Sequence, residues 1–313
     1  MRLAPIVLFV YNRLWHTKQT VEALQKNELA KDSELIIFSD APKTDKHKKP
    51  VYEVREYIKT ISNFKNITII ERDKNWGLAN SIIDGVTKIV NKYGKIIVLE
   101  DDIVTSQFFL TFMNEALTIY EKDKQVMSVS GFSPPVINDL PETFFMRGVQ
   151  IWGFGLWKRS WALFETDPNI LLEKTKNKKF NKYMKKEAMT NFSKLLNEFV
   201  KGNHDSWAVR FYASAIINKG YTLFPKKPLT KNIGMDNTGI HCKGLDPYIK
   251  ELYNSDIENN RVELKRSEHI HHCDEALIHF RKFFKKAKGR LYYRAKNRVK
   301  TILNKILNRE KLV

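Results

Sequence analysis

The sequence predicts an α/β fold in which a mostly parallel twisted sheet is flanked by helices. Two observations carry this. Short apolar runs rich in β-branched residues alternate with helix-periodic segments through the first 140 residues. That alternation implies βαβ units and parallel strands. The clearest run, Lys95-Ile96-Ile97-Val98-Leu99, ends abruptly in Glu100-Asp101-Asp102. It reads as a fully buried central strand with charge at its carboxyl end.

The elements follow in order. Ile6–Tyr11 reads as the first strand and Thr17–Gln25 as a helix. Leu35–Asp40 is a second strand, closed by Ala41-Pro42. Val51–Ile61 follows as a helix, with Val54, Ile58 and Ile61 on one face. Ile67–Glu71 is the third strand, and Leu78–Asn91 is a helix carrying Ile82, Ile83, Val86, Ile89 and Val90. The strand ending in the three acids is the fourth, followed by a helix over Gln107–Tyr120 and the strand-like Val126–Gly131. Beyond residue 140 the pattern becomes less regular and α+β in character. Aromatics and glycines gather at Trp152-Gly153-Phe154-Gly155-Leu156-Trp157, and Lys174–Lys186 is lysine-rich and polar. Helices are predicted over Ala188–Val200 and Ser206–Asn218, then a strand at Tyr221–Phe224. This divides the 313 residues into a first half over 1–140, a second half over 141–280 and a tail over 281–313.

With 42% hydrophobic residues the chain can bury a sizeable core. Two cysteines, Cys242 and Cys273, exclude a disulfide framework and suit a reducing compartment. No secretory leader is read at Met1–Arg13, and no run of about eighteen apolar residues suggests a membrane span. The net charge of +19 is concentrated in the tail, where 13 Lys or Arg face one acid, Glu310. There Phe284, Ala287, Leu291, Ala295, Val299, Ile302 and Ile306 follow steps of three and four residues. A basic amphipathic helix of this kind suits an anionic membrane surface. Packing on the body or pairing of chains is the other reading. Nucleic acid ranks last, because no recognised nucleic-acid module accompanies the stretch.

Glu100-Asp101-Asp102 is the chemical centre of the sequence. In open α/β sheets ligands bind beyond the carboxyl ends of the strands. Adjacent carboxylates there repel one another unless a cation lies among them, and hard divalent ions with oxygen ligands commonly bridge carboxylates to phosphates. The simpler alternative is a helix start, with Asp102 or Ser106 as the cap. The other strand ends contribute Tyr11-Asn12-Arg13, Ser39-Asp40 and Glu71-Arg72. Arg13 and Arg72 suit phosphates or base stacking, and Asp40 suits a base or ribose. Internal ion pairs are the alternative for each taken singly. Other nucleotide sites are excluded: no G-x-x-x-x-G-K-[ST] occurs, and Gly153-Phe154-Gly155 lacks the third glycine of a dinucleotide fingerprint. Residues 1–14 contain no glycine, unlike the Gly-rich start of sugar nucleotidyltransferases.

Val7–Arg13, Asn75–Ser81, Val98–Asp102 and Trp152–Trp161, in that order, resemble the GT-A-fold, family-2-like glycosyltransferases of bacterial surface polysaccharide synthesis. The layout is also similar to the inverting N-acetylglucosaminyltransferase of N-glycan branching. The resemblance spans most of residues 4–242. It implies a GT-A fold and a metal-dependent, inverting transfer of a sugar from a nucleoside-diphosphate sugar to a glycan or lipid-linked acceptor. By this resemblance Asp102 ligates a divalent metal, Mn or Mg. Asp101 contacts the ribose, Arg13 and Asp40 hold the base, and Trp152 and Gly153 line the donor-sugar pocket. Arg72 joins the donor side as a strand-end cation. The eukaryotic relatives carry a Trp-acid-acid-Trp pattern whose second acid is the base. Aligned on Trp207, this chain has Asp205 followed by Ser206. Asp205 is the candidate general base, with a cap for the helix near Ser206 as its other role. The Ile233–Cys242 stretch resembles a loop that closes over donor, and His241 is either a contact to the metal or the diphosphate or a plain loop histidine. His269-Ile270-His271-His272-Cys273 matches no standard zinc spacing. The implied location is the cytoplasmic face of the cell membrane. A non-catalytic carbohydrate- or nucleotide-binding protein on the same fold is the alternative reading.

Overall fold

Ile6-Val7-Leu8-Phe9-Val10 forms β1, and all five side chains are buried. Successive strand side chains point to opposite faces, so β1 feeds two cores. Ile6, Leu8 and Val10 enter one, while Val7 and Phe9 enter the other. A strand buried on both faces shows no polar alternation, which is why β1 and β4 read as continuous apolar runs. These assignments come from a computed structural model that describes residues 2–134, 140–176, 180, 186, 192–202, 205–234, 236 and 256–283.

The first half winds as the sequence predicts. The order is β1, α1 (Leu14–Gln25), β2 (Glu34–Ser39), α2 (Asp45–Lys59), β3 (Asn66–Glu71), α3 (Leu78–Tyr93), β4 (Lys95–Glu100), β5 (Ile103–Thr105) and α4 (Phe109–Ile119). The second half adds β6 (Val126–Ser130), β7 (Thr143–Arg147), β8 (Phe154–Trp157), α5 (Lys158–Trp161), α6 (Pro168–Lys174), α7 (Phe192–Val200), α8 (Trp207–Ile217), β9 (Tyr221–Pro225) and β10 (Thr230–Asn232). One eight-stranded sheet runs β3-β2-β1-β4-β8-β6-β9-β7. Strands β3, β2, β1 and β4 are parallel, and β8 inserts antiparallel between β4 and β6. Both chain halves therefore share one sheet across the 140/141 boundary. Helices α1 and α4 cover one face through Val21, Leu24, Phe112 and Leu117. Helices α3 and α8 cover the other through Ile82, Val86, Phe211 and Ala215.

Three differences from the sequence reading have physical causes. Helix α2 begins at Asp45 and runs through Pro50. Proline removes one helix donor, but residues 45–50 are exposed or half-buried, so water reaches the carbonyl left over. The aromatic–glycine segment is part of a strand: Phe154–Trp157 is β8, fully buried and paired to Ile96, Ile97 and Val98. Gly155 lies against Leu117, which a Cβ would meet at 3.1 Å. Finally, the acids do not lead straight into a helix. Asp102 is followed at once by β5, which pairs antiparallel with the distant β10, Ile103 opposite Asn232.

Residues 256–283 return along the sheet, with Val262 in the α1/α4 core. A helix over 274–283 follows. It packs Ala276, Leu277 and Phe280 on Phe144 and Phe224 at the β7 edge. Among the described residues no helix is long and apolar enough to cross a membrane. The tail over 284–313, His241, Cys242 and most of Lys174–Lys186 lie outside the described residues.

Candidate active site

The acids project from the end of β4, where Glu100 pairs with Phe9 of β1. The turn after them is fixed from both sides. Thr20 of α1 donates its hydroxyl to the Asp101 carbonyl at 2.9 Å. The Ile233 N–H donates to the Asp102 carbonyl at 2.9 Å, which ties the β10 end to the acid turn. Asp101 and Asp102 are 6% and 9% exposed. Arg13, just ahead of α1, reaches both. Its Nε donates to Asp101 Oδ2 at 3.2 Å, and its Nη2 contacts Asp101 Oδ1 and donates to Asp102 Oδ2 at 2.8 Å.

The electrostatics of this cluster are short of positive charge. Burial pushes the Glu100 carboxyl up to about 8, and the Asp102 and Asp101 charges push it the same way. Burial also lifts Asp101 to about 6, opposed by Arg13. Burial works against the Arg13 charge, but Asp101 and Asp102 outweigh it and hold the guanidinium protonated. One guanidinium faces the buried Asp101 and Asp102, with the half-buried Glu100 pushed toward its protonated form beside them, and a cation would relieve this crowding of carboxyl groups.

The floor of the site comes from the aromatic–glycine segment. Gly153 has φ +74°, and a Cβ there would lie 2.7 Å from Thr230 and 3.2 Å from Leu99. Only glycine lets β8 start this close to β4 and β10. Thr230 donates its hydroxyl to the Trp152 carbonyl at 2.6 Å, and the half-buried Trp152 packs edge-on against Phe132 at 4.6 Å.

Other predicted residues are held elsewhere. Asp40 lies at the end of β2, but its carboxylate is engaged by the chain. Oδ1 accepts from the Ala41 and Trp76 N–H groups, each at 2.9 Å. Oδ2 accepts from Gly77 N–H at 2.9 Å and from the Asn75 side chain at 3.1 Å. Asp40 thus clamps the turn that starts α3, which explains the Asn75-Trp76-Gly77 signal. Arg72 is 7% exposed and turns toward α3: it pairs with Asp84 at 2.5 Å and lies over the Trp76 ring at 4.1 Å. It belongs to an internal ion pair rather than to the acid cluster. Asp205 is exposed and 3.3 Å from Arg210. It does not cap α8, because Ser206 does so by accepting from Val209 N–H. Trp207 stacks on Phe154 at 5.8 Å, and Phe154 pairs with Val98 of β4. The start of α8 therefore lies near the β4 end that carries the acids.

The sequence reading missed several partners of the acids. Asn232 accepts from Gly234 N–H at 2.8 Å, and a Cβ at Gly234 would fall 2.1 Å from Asp102 Oδ2. His16 Nε2 lies 3.1 Å from Asp236 Oδ2. Burial, followed by the Arg13 charge, lowers the His16 pKa. The available signal was the glycine-punctuated stretch after Ile233. Among the described residues no set of three or more His, Cys, Asp or Glu side chains converges as a ready metal cage.

With this geometry in place, residues 6–123 match the family described as glycosyl transferase family 2. The match runs from β1 through the acids and past α4. The acid cluster thus lies inside a segment similar to the family-2 glycosyltransferases, on a mostly parallel α/β sheet. Distant likenesses exist among solved structures. A mannosyltransferase from Pyrobaculum calidifontis, in complex with GDP-Man and Mn2+, is 11% identical with a TM-score of 0.36, covering 69% of each chain. S. aureus TarS is 11% identical with a TM-score of 0.38, over 72% of this chain and 36% of that one. A putative nucleotide-diphospho-sugar transferase from Desulfovibrio desulfuricans G20 is 13% identical with a TM-score of 0.34, over 53% and 69%. No curated protein matches the chain.

The raised Glu100 value has a consequence for stability. In the fold Glu100 keeps its proton up to about pH 8, against an ordinary value of 4.5. Its stabilising contribution is complete below the ordinary value and is lost as pH rises through the folded one. Metal-free protein melts at progressively lower temperature between about pH 5 and about pH 9, and Glu100→Gln flattens that fall. Equal slopes for the two proteins would contradict the assignment.

Proposed function

We propose that the chain transfers a sugar from a nucleoside diphosphate, with inversion and with a divalent cation, to a glycan or lipid-linked acceptor of a surface polysaccharide. The observation that carries this reading is the cation-deficient acid cluster at the end of β4, inside the segment that matches the family. The donor set fits a hard cation: carboxylate oxygens on a buried turn, with the closing loop reduced to a glycine beside Asp102. Asp102 is the residue that holds the metal. When bound, Mn2+ or Mg2+ supplies Lewis-acid stabilisation of the charge that grows on the leaving diphosphate.

The protein's own residues do the rest. Asp101 lies where a ribose passes the β4 end, and its carbonyl is pinned by Thr20. Trp152 offers an apolar face to the donor sugar, and Gly153 lets the backbone come close. Asp40 acts on the base side by fixing the 75–77 turn. Asp205 takes the proton from the acceptor hydroxyl as that oxygen attacks C1 and the bond from C1 to the diphosphate breaks. Its exposure suits a group that meets an acceptor arriving from solvent.

Sugar transfer or donor hydrolysis, measured alongside calorimetric binding of a nucleoside diphosphate with Mn2+, tests the scheme. Asp102→Asn abolishes turnover and weakens the metal-dependent part of binding. Asp205→Asn retains binding but loses about 10²–10⁴-fold in kcat, the usual worth of a general base. Normal turnover by Asp102→Asn would remove the metal role.

We further propose that the basic tail holds the enzyme at the cytoplasmic face of an anionic membrane, where lipid-linked acceptors reside. The helix over 274–283 is anchored on Phe144 and Phe224, so the tail departs from a fixed point on the body. A chain truncated after Phe283 keeps its activity on soluble acceptors and no longer sediments with phosphatidylglycerol liposomes. Unchanged sedimentation would assign the tail another role.

A further inference from the structure

Arg13 is placed differently from a residue waiting for a ligand. Its guanidinium already spans Asp101 and Asp102, with Nε and Nη2 on the first and Nη2 on the second. The same Asp102 Oδ2 that accepts from Nη2 lies beside Gly234, close enough that a Cβ there would reach 2.1 Å. The other guanidinium nitrogen, Nη1, is buried without a hydrogen-bond partner. Arg72, the other strand-end arginine, is paired with Asp84. Among the described residues, Arg13 is the cation in contact with these two acids.

Arg13 holds Asp102 Oδ2 and Gly234 crowds the same oxygen, so a divalent ion at Asp102 would sit beside the guanidinium, and their mutual repulsion is strong where water is excluded. Departure of Arg13 therefore favours the metal. An arginine removed from two buried carboxylates needs another anion. A diphosphate offers planar, two-point acceptance to a guanidinium, including the donor that Nη1 now leaves unmet.

We propose that Arg13 is a built-in counter-ion that holds the acid pair in the metal-free enzyme and is exchanged for the divalent cation only when a nucleoside diphosphate arrives to receive the guanidinium. This rests on the metal reading above and goes beyond it: metal and nucleotide binding are coupled through one side chain. The coupling is reciprocal, so each ligand strengthens the other by the same factor. Free divalent ions alone are held weakly, which keeps the acid pair closed until donor is present.

The experiment measures Mn2+ binding by the electron-spin resonance signal of free Mn2+, with and without UDP or GDP. The proteins are the full chain, Arg13→Gln and Arg13→Lys. The unsubstituted chain binds Mn2+ weakly alone and tightly with the nucleotide. Arg13→Gln binds Mn2+ alone at least about ten-fold tighter than the unsubstituted chain, and the added nucleotide strengthens it less. Arg13→Lys, which keeps a charge but cannot span both acids, falls between them and serves if the glutamine variant fails to fold. Equal affinity for Mn2+ alone in all three, with tight binding in the presence of nucleotide, overturns the Arg13 role and leaves the metal site standing. No Mn2+ binding by any of them, even with nucleotide, overturns the metal reading and this proposal together.

Discussion

Packing carboxylates into the buried end of a central strand costs free energy unless positive charge is brought to them. Much of the surrounding architecture answers that cost. Arg13 stands just ahead of α1 so that one guanidinium reaches Asp101 and Asp102. Thr20, about two turns further along α1, fixes the Asp101 carbonyl. The β5–β10 ribbon brings Ile233 and Gly234 over Asp102 from more than a hundred residues away. Even so, Glu100 holds its proton well above the ordinary range. A fold that only needed stability would gain by replacing such a cluster with apolar residues. Here the charge deficit is retained at the sheet edge where α/β folds place ligands.

The shared sheet explains how the segment over residues 6–123, which matches the family-2 description, can depend on residues far outside it. Strand β8 supplies Gly153 beside Leu99, and β10 supplies Thr230 beside Gly153. The aromatic stack of Trp207 on Phe154 brings the start of α8, and with it Asp205, toward the same edge. The second half therefore packs against the sheet edge that carries the acids. Arg210 is 8% exposed, in contact with Asp205 and with the Thr166 carbonyl, and fixes how α8 meets the loop before α6.

The first four strands and their helices were legible because each apolar run is local and each lies between clear helical periods. Asp101, Asp102 and Arg13 were legible as neighbours because all three end or follow adjacent parallel strands. What was not legible depends on contacts distant in sequence. Pairing of β10 with β5 leaves no local trace beyond the glycines after Ile233. The β8 segment carries no clear strand signal because Gly153 and Gly155 serve close packing against Leu99, Thr230 and Leu117. Arg72 and Asp40 sat at the predicted strand ends, yet side-chain direction decided their partners. Arg72 turned to Asp84, and Asp40 to the backbone of the 75–77 turn.

The acid cluster at the end of β4 is proposed as a metal–diphosphate site with Asp102 as the ligand. Anomalous diffraction at the manganese edge, from crystals grown with Mn2+ and UDP or GDP, tests it directly. One strong peak about 2 Å from an Asp102 carboxylate oxygen is the expected result. A bound nucleotide with manganese absent, or centred on other side chains, would contradict it.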